Sequence, residues 1–307
     1  MSIGSEFMKY IFVVNPKSGK SEVKEELFEN LKKYEGKIEY EICNLNSREE
    51  TISYIKEYCS NNKEDTVFCA CGGDGTLNTV VTGCMGVNNA VVTCFPCGRG
   101  NDFVKVYGGK EKFLNLDNLF NGEEIKIDVM KVNDEYSINV TNFGFEAAVC
   151  DVANKVRRKK IIGGKNSYTT GILVSIFKSM KTKCRLVADD EVLSENKILL
   201  STVANGKYVG GAYKCAPYSD NQDGLLEVCV IKTISIFKFA SLIGRYKEGK
   251  HLDDPKLRKI LKYKRAKKVV IDGNEDFKIC LDGEIYTGPH FEIENLKQVL
   301  RFIRPKE

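Results

Sequence analysis

The chain has 307 residues, of which 42% are hydrophobic and 29% are charged, and both values are ordinary for a globular protein. Its length accommodates two domains, because one hydrophobic core rarely grows beyond about 250–300 residues. No apolar run reaches the roughly 18 residues that a membrane-spanning helix needs. The net charge of +5 is too small to indicate nucleic-acid binding by itself.

The first part of the chain alternates between strands and helices. Strands are predicted at 9–16, 37–43, 66–73 and 90–98, and helices at 21–36, 49–60, 76–86 and 101–108. Most of these strands are continuously apolar, which is typical of a parallel sheet covered by helices on both faces. This half is therefore predicted to be a Rossmann-like α/β domain.

After residues 123–134 the pattern changes to short strands separated by turns, which indicates a mostly antiparallel β-sandwich or barrel. Strands are predicted at 135–144, 183–189, 197–206, 224–233, 266–273, 276–284 and 289–294, with helices inserted at 167–180 and 233–249.

These patterns predict two domains. An α/β domain is expected over 8–128, with the tail 292–307 returning to it, and a β-sandwich over 129–291. The start of the chain does not resemble a signal peptide. We expect residues 1–7 to be a cloning remnant, because Met8 offers a second start.

Twelve cysteines are spread through apolar segments, which favours reduced and buried thiols. The spacing of Cys69 with Cys71, and of Cys94 with Cys97, leaves a zinc site as an alternative. Basic runs at 155–160 and 256–268 are interpreted either as solvated faces or as surfaces for an anionic partner.

Three glycine-bearing loops follow predicted strands, at 15–21, 72–76 and 96–102. Ligands of open parallel sheets bind at the carboxyl ends of the strands, where backbone N–H groups and helix N-termini suit phosphate. We therefore expect a phosphate-bearing ligand, with Gly72, Gly73 and Gly75 small because a nucleotide lies against them. The segment 19–21 does not complete a P-loop, because Val14 stands where that motif has its first glycine.

The motifs NPKSG, GGDGT and PxGxGND, in this order, resemble the diacylglycerol kinase catalytic-domain family. That family includes bacterial lipid kinases and the sphingosine and ceramide kinases, and it is distantly related to NAD kinase. Further resemblances at 142–147, 203–217, 220–228 and 280–284 extend the similarity over nearly all of the chain. The resemblance implies an ATP- and Mg²⁺-dependent lipid kinase with a nucleotide-binding α/β domain and a β-sandwich domain.

The resemblance also implies which residues contact the nucleotide. They are Asn15, Pro16, Lys17, Ser18 and Gly19 in the first loop, Gly72, Gly73, Asp74, Gly75, Thr76, Leu77, Asn78 and Thr79 in the second, and Arg99, Asn101 and Asp102 in the third. Asp74 is expected to act on Mg²⁺ through water, with Asp102 and Asp128 in the same polar network. An acid at a helix N-terminus is the alternative for Asp102.

In the second half, Asp282 matches the general base of the family, with Glu284 beside it. A DG hairpin turn is the structural alternative for Asp282. Asp223 matches a second metal site whose other ligands would be the carbonyl groups of Asp220 and Leu225; a turn acid without metal is the alternative.

One position departs from the family, which usually has threonine where this chain has Arg99. We hypothesise that Arg99 contacts the nucleotide phosphates or an anionic acceptor, which leaves the choice between ATP and another nucleotide open.

Three functions are compatible with these residues. They are, in order of preference, an ATP-dependent kinase of diacylglycerol or a similar lipid, a soluble-metabolite kinase akin to NAD kinase, and a non-catalytic nucleotide-binding regulator. The expected partner is a lipid at the membrane surface, and no nucleic acid is expected. Whether the chain forms a homodimer stays open. The protein is expected to be cytoplasmic, with residues 172–177 and the basic run 155–160 docking on the inner face of the membrane. A core helix is the alternative for 172–177.

Overall fold

In the computed structural model, which describes residues 8–16, 21–98, 100–158 and 180–306, the chain divides into two units. The first unit runs to Val129 and resumes at Leu296, and the second unit is Met130–Asn295. Each unit has its own arrangement of strands and helices.

The predicted apolar runs of the first unit form a parallel sheet with the order β17–β4–β3–β1–β2. The strands are β1 (Lys9–Val14), β2 (Tyr40–Asn44), β3 (Thr66–Gly72), β4 (Ala90–Pro96) and the end of β17 (His290–Arg304). Every residue of β3 and β4 is buried, as a strand covered on both faces requires. The tail of the chain thus supplies the strand beside β4, and β5 (Glu123–Val132) also pairs with β17.

Helices connect these strands. They are α1 (Ser21–Leu31), α2 (Arg48–Asn61), α3 (Asp74–Cys84), α4 (Lys110–Leu114) and α5 (Leu116–Phe120), with 3-10 helices at Lys32–Tyr34 and Phe103–Tyr107. Ser47 caps α2 by accepting the N–H of Glu50 at 3.1 Å. The helix predicted at 101–108 is the second 3-10 helix, which ends at Gly108 with φ = 91°.

The first sheet of the second unit is antiparallel, with the order β13–β12–β11–β7–β15–β16 and β8 beside β11. Its strands are β7 (Val140–Gly144), β8 (Thr182–Lys183), β11 (Lys197–Ala204), β12 (Leu226–Lys232), β13 (Leu261–Ala266), β15 (Lys278–Leu281) and β16 (Glu284–Thr287). A bulge interrupts the pairing of β11 with β12 between Ile198 and Leu200.

The second layer of this unit has the order β10–β9–β14–β17. It comprises β9 (Arg185–Ala188), β10 (Glu191–Ser194), β14 (Lys268–Asp272) and the start of β17, with β6 (Glu135–Ser137) paired to β5. One buried cluster contains Phe143 and Val228 from the first sheet and Leu186, Val269 and Ile293 from the second. The predicted fold, an α/β unit and an antiparallel β-sandwich, is confirmed.

Two helices accompany the sandwich, α6 (Phe145–Arg158) and α7 (Ile236–Lys247). The sequence predicted α7 but not α6, while the helix predicted at 167–180 lies outside the described residues except for its last position. Among the helices in the described ranges, none has both the length and the apolar character needed to cross a bilayer.

Candidate active site

The ends of three parallel strands of the first unit lie side by side. Val14 at the end of β1 is paired with Cys71 of β3, and Gly72 of β3 with Pro96 of β4. The loops after β1, β3 and β4 therefore start from the same edge of the sheet, as expected. Lys17, Ser18 and Gly19 of the first loop and Arg99 of the third lie outside the described residues.

A lysine that the sequence did not single out lies beside the first loop. Lys24 of α1 is only 8% exposed, and its ammonium group donates to the carbonyl oxygens of Asn15 at 2.7 Å and Pro16 at 3.3 Å. The described part of this loop is therefore held by a buried cation. Lys24 belongs to a helix rich in charged residues, so no local pattern distinguished it.

Glycines bring the second and third loops into direct backbone contact. The N–H of Gly98 donates to the Gly72 carbonyl at 3.0 Å, and a Cβ on Gly98 would lie 2.3 Å from the Gly73 Cα. A Cβ on Gly72 would lie 2.1 Å from Thr76 Oγ1. Packing within the protein therefore already excludes a side chain at Gly72, so a nucleotide is not needed to explain this glycine. A Cβ on Gly73 would come no closer than 3.4 Å to another residue, and the nucleotide contact of Gly73 stays a prediction.

Gly75 differs from these glycines. It lies in the first turn of α3, and a Cβ placed there would meet no atom within 4 Å. The space beside this helix N-terminus is open, and the positive end of a helix favours anions. Of the glycines in this motif, Gly75 is the one whose surroundings leave room for a ligand.

Asp74 joins the second loop to the third. Its carboxylate accepts the N–H of Asp102 at 3.0 Å and the N–H of Phe103 at 3.2 Å, at the start of the 3-10 helix Phe103–Tyr107. Asp102 is 6% exposed and pairs with Lys105 at 2.5 Å. The structure therefore brings Asp74 and Asp102 together, and it gives Asp102 a local ion pair in addition to its proposed place near a metal.

Asn101 adopts a left-handed conformation, with φ = 46°. Its Nδ2 donates to the Gly98 carbonyl at 2.7 Å. Its Oδ1 is buried, and no described residue donates to it. A buried acceptor of this kind is costly unless a ligand, ion or water satisfies it.

The other predicted contacts on α3 have partners within the protein. Thr76 packs on Gly72, and Thr79 Oγ1 donates to the Gly75 carbonyl at 2.9 Å. Asn78 Oδ1 accepts from Arg48 Nη1 at 2.9 Å. Leu77 is a core residue, 3% exposed, whose N–H donates to the Gly73 carbonyl at 3.1 Å. The Leu77 side chain therefore has a packing role, and a nucleotide contact of Leu77 stays a prediction.

Asp128 is fully buried in the first unit. Its carboxylate accepts the N–H of Gln298 at 2.7 Å, and Gln298 has φ = 52°. Asp128 therefore fixes an irregular point in β17, a role that the sequence did not indicate.

Cys69, Cys71, Cys94 and Cys97 are buried free thiols in or directly after β3 and β4. Burial raises the pKa of Cys69 and Cys94 well above the usual value and that of Cys97 to about 11. The described residues contain no group of three or more metal-ligating side chains, so the four cysteines fit the interpretation as small hydrophobic residues.

In the second unit, Asp282 and Gly283 form the two-residue turn between β15 and β16, with φ = 45° and 100°. Positive φ at both positions is the geometry that Asp-Gly hairpins favour. The Asp282 carboxylate accepts three consecutive backbone N–H groups, those of Ile138, Asn139 and Val140, at 2.8, 3.2 and 2.9 Å. This acid therefore holds the start of β7 against the hairpin.

The same turn is attached to α6. The carbonyl of Gly283 accepts from Asn154 Nδ2 at 2.8 Å and from the Cys150 thiol at 3.1 Å. Glu284 begins β16 opposite Leu281 and is exposed. Asp282 and Glu284 thus lie on one well-anchored turn.

A second aspartate of this unit repeats the arrangement of Asp282, although no motif in the sequence indicates it. Asp189 precedes β10 in a two-residue turn with φ = 49°. Its carboxylate accepts the N–H of Lys267 and the N–H of Lys268, the latter at 3.0 Å. The backbone clamp is therefore a structural device of the sandwich and is not by itself evidence of catalysis.

The residues of the expected second metal site also lie close together, but an arginine shares their space. Asp223 Oδ1 accepts the N–H of Leu225 at 2.8 Å, and Asp220 Oδ1 accepts the N–H of Gln222 at 3.0 Å. The other carboxylate oxygen of Asp223 contacts the guanidinium group of Arg265. A protein cation therefore lies next to the acid of the expected metal site.

An apolar cavity lies between α7 and the sheet of the second unit. It is small, with a volume of about 20 Å³, and Leu200, Ile231, Phe239 and Leu261 are among its lining residues. Tyr246 and His251 also line it. Burial lowers the pKa of His251 to about 4, so this imidazole is neutral at physiological pH.

Glu146 is connected to the wall of this cavity by a hydrogen bond with Tyr246. The Tyr246 hydroxyl donates to Glu146 Oε1 at 2.8 Å, and the Thr202 hydroxyl donates to Oε2 at 3.2 Å. Burial raises the pKa of Glu146 to about 7, although both hydroxyl groups act in the opposite direction. Glu146 was predicted only as part of a family-like segment.

Two family models match the chain in succession. The diacylglycerol kinase catalytic domain matches residues 9–132, and the YegS C-terminal NAD kinase beta sandwich-like domain matches residues 139–304. The second match alone spans more than half of the chain.

Curated relatives match over almost their full length. The chain is 28% identical over 301 residues to the diacylglycerol kinase of Bacillus subtilis (strain 168), covering 96% of both chains. It is 26% identical over 274 residues to a diacylglycerol kinase of Staphylococcus aureus, covering 89% of this chain and 84% of the relative. These identities are too low to carry over a substrate.

A solved structure shares the fold. A diacylglycerol kinase from Bacillus anthracis aligns over 97% of both chains with a TM-score of 0.71 and 21% sequence identity. The glycine loops, the antiparallel sandwich and the two successive family matches agree with one another, and the chain therefore belongs to the diacylglycerol kinase catalytic-domain family.

Proposed function

We propose that this chain is an ATP-dependent lipid kinase that transfers the γ-phosphate to the hydroxyl group of diacylglycerol or a similar lipid. The observation that carries the nucleotide half of this proposal is the open space at Gly75. The first turn of α3 presents backbone N–H groups beside a position where a Cβ meets no atom within 4 Å. A phosphate group fits such a helix N-terminus.

The neighbouring groups suit a magnesium ion that travels with ATP. Asp74, Asp102 and the unsatisfied Asn101 Oδ1 form an all-oxygen donor set within two adjoining loops, and Mg²⁺ prefers oxygen ligands, often through water. Asp74 and Asp102 would hold the ion. When bound, it neutralises charge on the phosphates during phosphoryl transfer.

Asp282 is the proposed general base. Phosphoryl transfer requires a group that accepts the proton of the attacking hydroxyl. The Asp282 carboxylate lies on a partly exposed turn, so a substrate hydroxyl can approach it. Glu284, two residues further along the same turn, would support this acid.

The choice of a lipid acceptor is supported by the family, because the match to the diacylglycerol kinase catalytic domain and the diacylglycerol kinase relatives both favour such a substrate. A lipid acceptor also implies work at a membrane surface. We propose that the protein is cytoplasmic and associates peripherally with the inner face of the membrane. Basic segments of the chain would attract the anionic headgroups.

The test is phosphate transfer from γ-labelled ATP with Mg²⁺ to diacylglycerol, monoacylglycerol and sphingosine in mixed micelles, and to NAD in solution. We expect label in diacylglycerol or a related glycerolipid, with transfer lost in the Asp282→Asn variant. Label in NAD would support a metabolite kinase instead. Absence of transfer to every acceptor, by a protein with a cooperative thermal transition, would contradict the proposal.

A further inference from the structure

We infer that Arg265 supplies the cation for the Asp223 turn, so that this chain needs no metal ion there. The resemblance to the family suggested a second metal site at Asp220, Asp223 and Leu225. In the structure the guanidinium group of Arg265 contacts Asp223. The inference concerns the architecture of the second unit and does not depend on the proposed kinase activity.

Arg265 is held in place by the register of the sheet. It lies on β13 directly opposite Glu227 of β12, and cross-strand neighbours of opposite charge attract each other. Its Nε is 3.0 Å from Glu227 Oε1. Glu227 is 2% exposed, so its charge would be costly to bury without a cation. Glu227 therefore favours a cation at this position independently of the Asp223 turn.

The same guanidinium group reaches both acids because it carries several donors in a rigid plane. Nε faces Glu227, while Nη2 contacts Asp223 on the loop before β12. The Asp223 side chain is 25% exposed and that of Arg265 is 41% exposed. One permanent positive charge thus joins a buried acid of the sheet to an acid of the turn.

A divalent cation fits this arrangement poorly. Asp223 Oδ1 accepts the Leu225 N–H and Oδ2 contacts the Arg265 guanidinium group, so a metal ion bound to this carboxylate would compete with arginine. An ion bound to Asp223 would lie next to a guanidinium group that cannot lose its charge.

The first experiment compares the full-length wild type with the Asp223→Asn variant, both stripped with EDTA and free of nucleotide. Thermal unfolding is measured with and without Mg²⁺, and Mn²⁺ binding is counted by electron paramagnetic resonance. We expect no rise in the wild-type Tm with Mg²⁺, and equal Mn²⁺ counts for the two proteins. A wild-type Tm that rises with Mg²⁺, with the rise lost in Asp223→Asn, would overturn the inference.

The second experiment removes the arginine without leaving a buried charge. In the double variant Arg265→Gln/Glu227→Gln, the Asp223 turn has lost its protein cation. We expect this variant to gain a Tm rise of about 3 °C or more with Mg²⁺ or Mn²⁺. Addition of Asp223→Asn should abolish that gain. A double variant that folds but ignores both cations would show that Arg265 does not replace a metal, and would overturn the inference.

Discussion

The turns at Asp189 and Asp282 belong to the same unit and share one design. In each, an aspartate with φ near +45° to +49° opens a two-residue hairpin. Each carboxylate accepts N–H groups at the start of the strand that pairs with that hairpin. The comparison teaches that the backbone clamp is structural, so chemistry at Asp282 must come from what surrounds it.

The surroundings of the two turns differ in three respects. Asp189 is exposed, whereas Asp282 is partly buried. Gly283 with φ = 100° follows Asp282, whereas Asp190 follows Asp189 without a positive φ. The Asp282 turn is also attached to α6 through Asn154 and Cys150. Asp189 therefore serves as a natural control for every experiment on Asp282.

The largest difference in stability is expected from alanine substitutions of the two acids. Asp282→Ala leaves three N–H groups in a partly buried place without their acceptor, so the free energy of unfolding should fall by about 2–3 kcal/mol. Asp189→Ala should lower it by about 1 kcal/mol, because water can reach the freed N–H groups. Urea unfolding of both variants measures these losses of stability. Equal losses would show that burial does not distinguish the two turns.

A similar comparison applies to the glycines of the first unit. Gly98→Ala places a Cβ against the Gly73 backbone and should destabilise the protein by about 1–3 kcal/mol through overpacking. Gly75→Ala meets no protein atom and should keep or slightly raise the Tm, since alanine favours helix more than glycine. It should nevertheless raise the KM for ATP about tenfold, because a phosphate would contact the new methyl group. An unchanged KM would remove Gly75 from the nucleotide site.

Substitutions at the second residue of each turn are expected to have smaller effects on stability. Gly283→Ala forces an alanine into the left-handed region and should lower the free energy of unfolding by about 1–2 kcal/mol. Asp190→Ala should change it by less than about 0.5 kcal/mol. Both values follow from urea unfolding, and a neutral Gly283→Ala would mean that the turn relaxes freely.

The smallest effect concerns pH. The pKa of Glu146 is raised to about 7 in the folded protein, whereas an unfolded glutamate titrates near 4.3. Its protonation therefore favours the folded state most at low pH, and this contribution is lost as the pH rises through about 7. Glu146→Gln should thus gain Tm relative to the wild type between pH 5 and pH 8. A difference in Tm that stays constant with pH would show that Glu146 does not titrate in this range.

The fold was largely predictable because burial leaves a clear pattern in β3 and β4, where every residue is buried. The second unit was harder, since β13 alternates lysine and arginine with apolar residues and was interpreted as a basic run. Helix α6 was missed for a related reason, because its end overlaps the basic run 155–160.

The site was predictable only where a motif is local. The GGDGT loop and the DG turn are short segments whose geometry follows from their glycines. Other contacts form only when the chain folds. Arg265 pairs with Asp223 and Glu227, which are far from it in sequence. Folding also turns Lys24 toward the first loop. Nothing in a local pattern specifies such contacts.

The most direct test of the account is the kcat of Asp282→Asn beside that of Asp189→Asn, with diacylglycerol and ATP as substrates. The account predicts a fall of about 100-fold or more for Asp282→Asn, as expected for loss of a general base. It predicts a kcat within about twofold of the wild type for Asp189→Asn, whose amide retains one acceptor oxygen for the clamp. Equal activity in the two folded variants would contradict a catalytic function for Asp282.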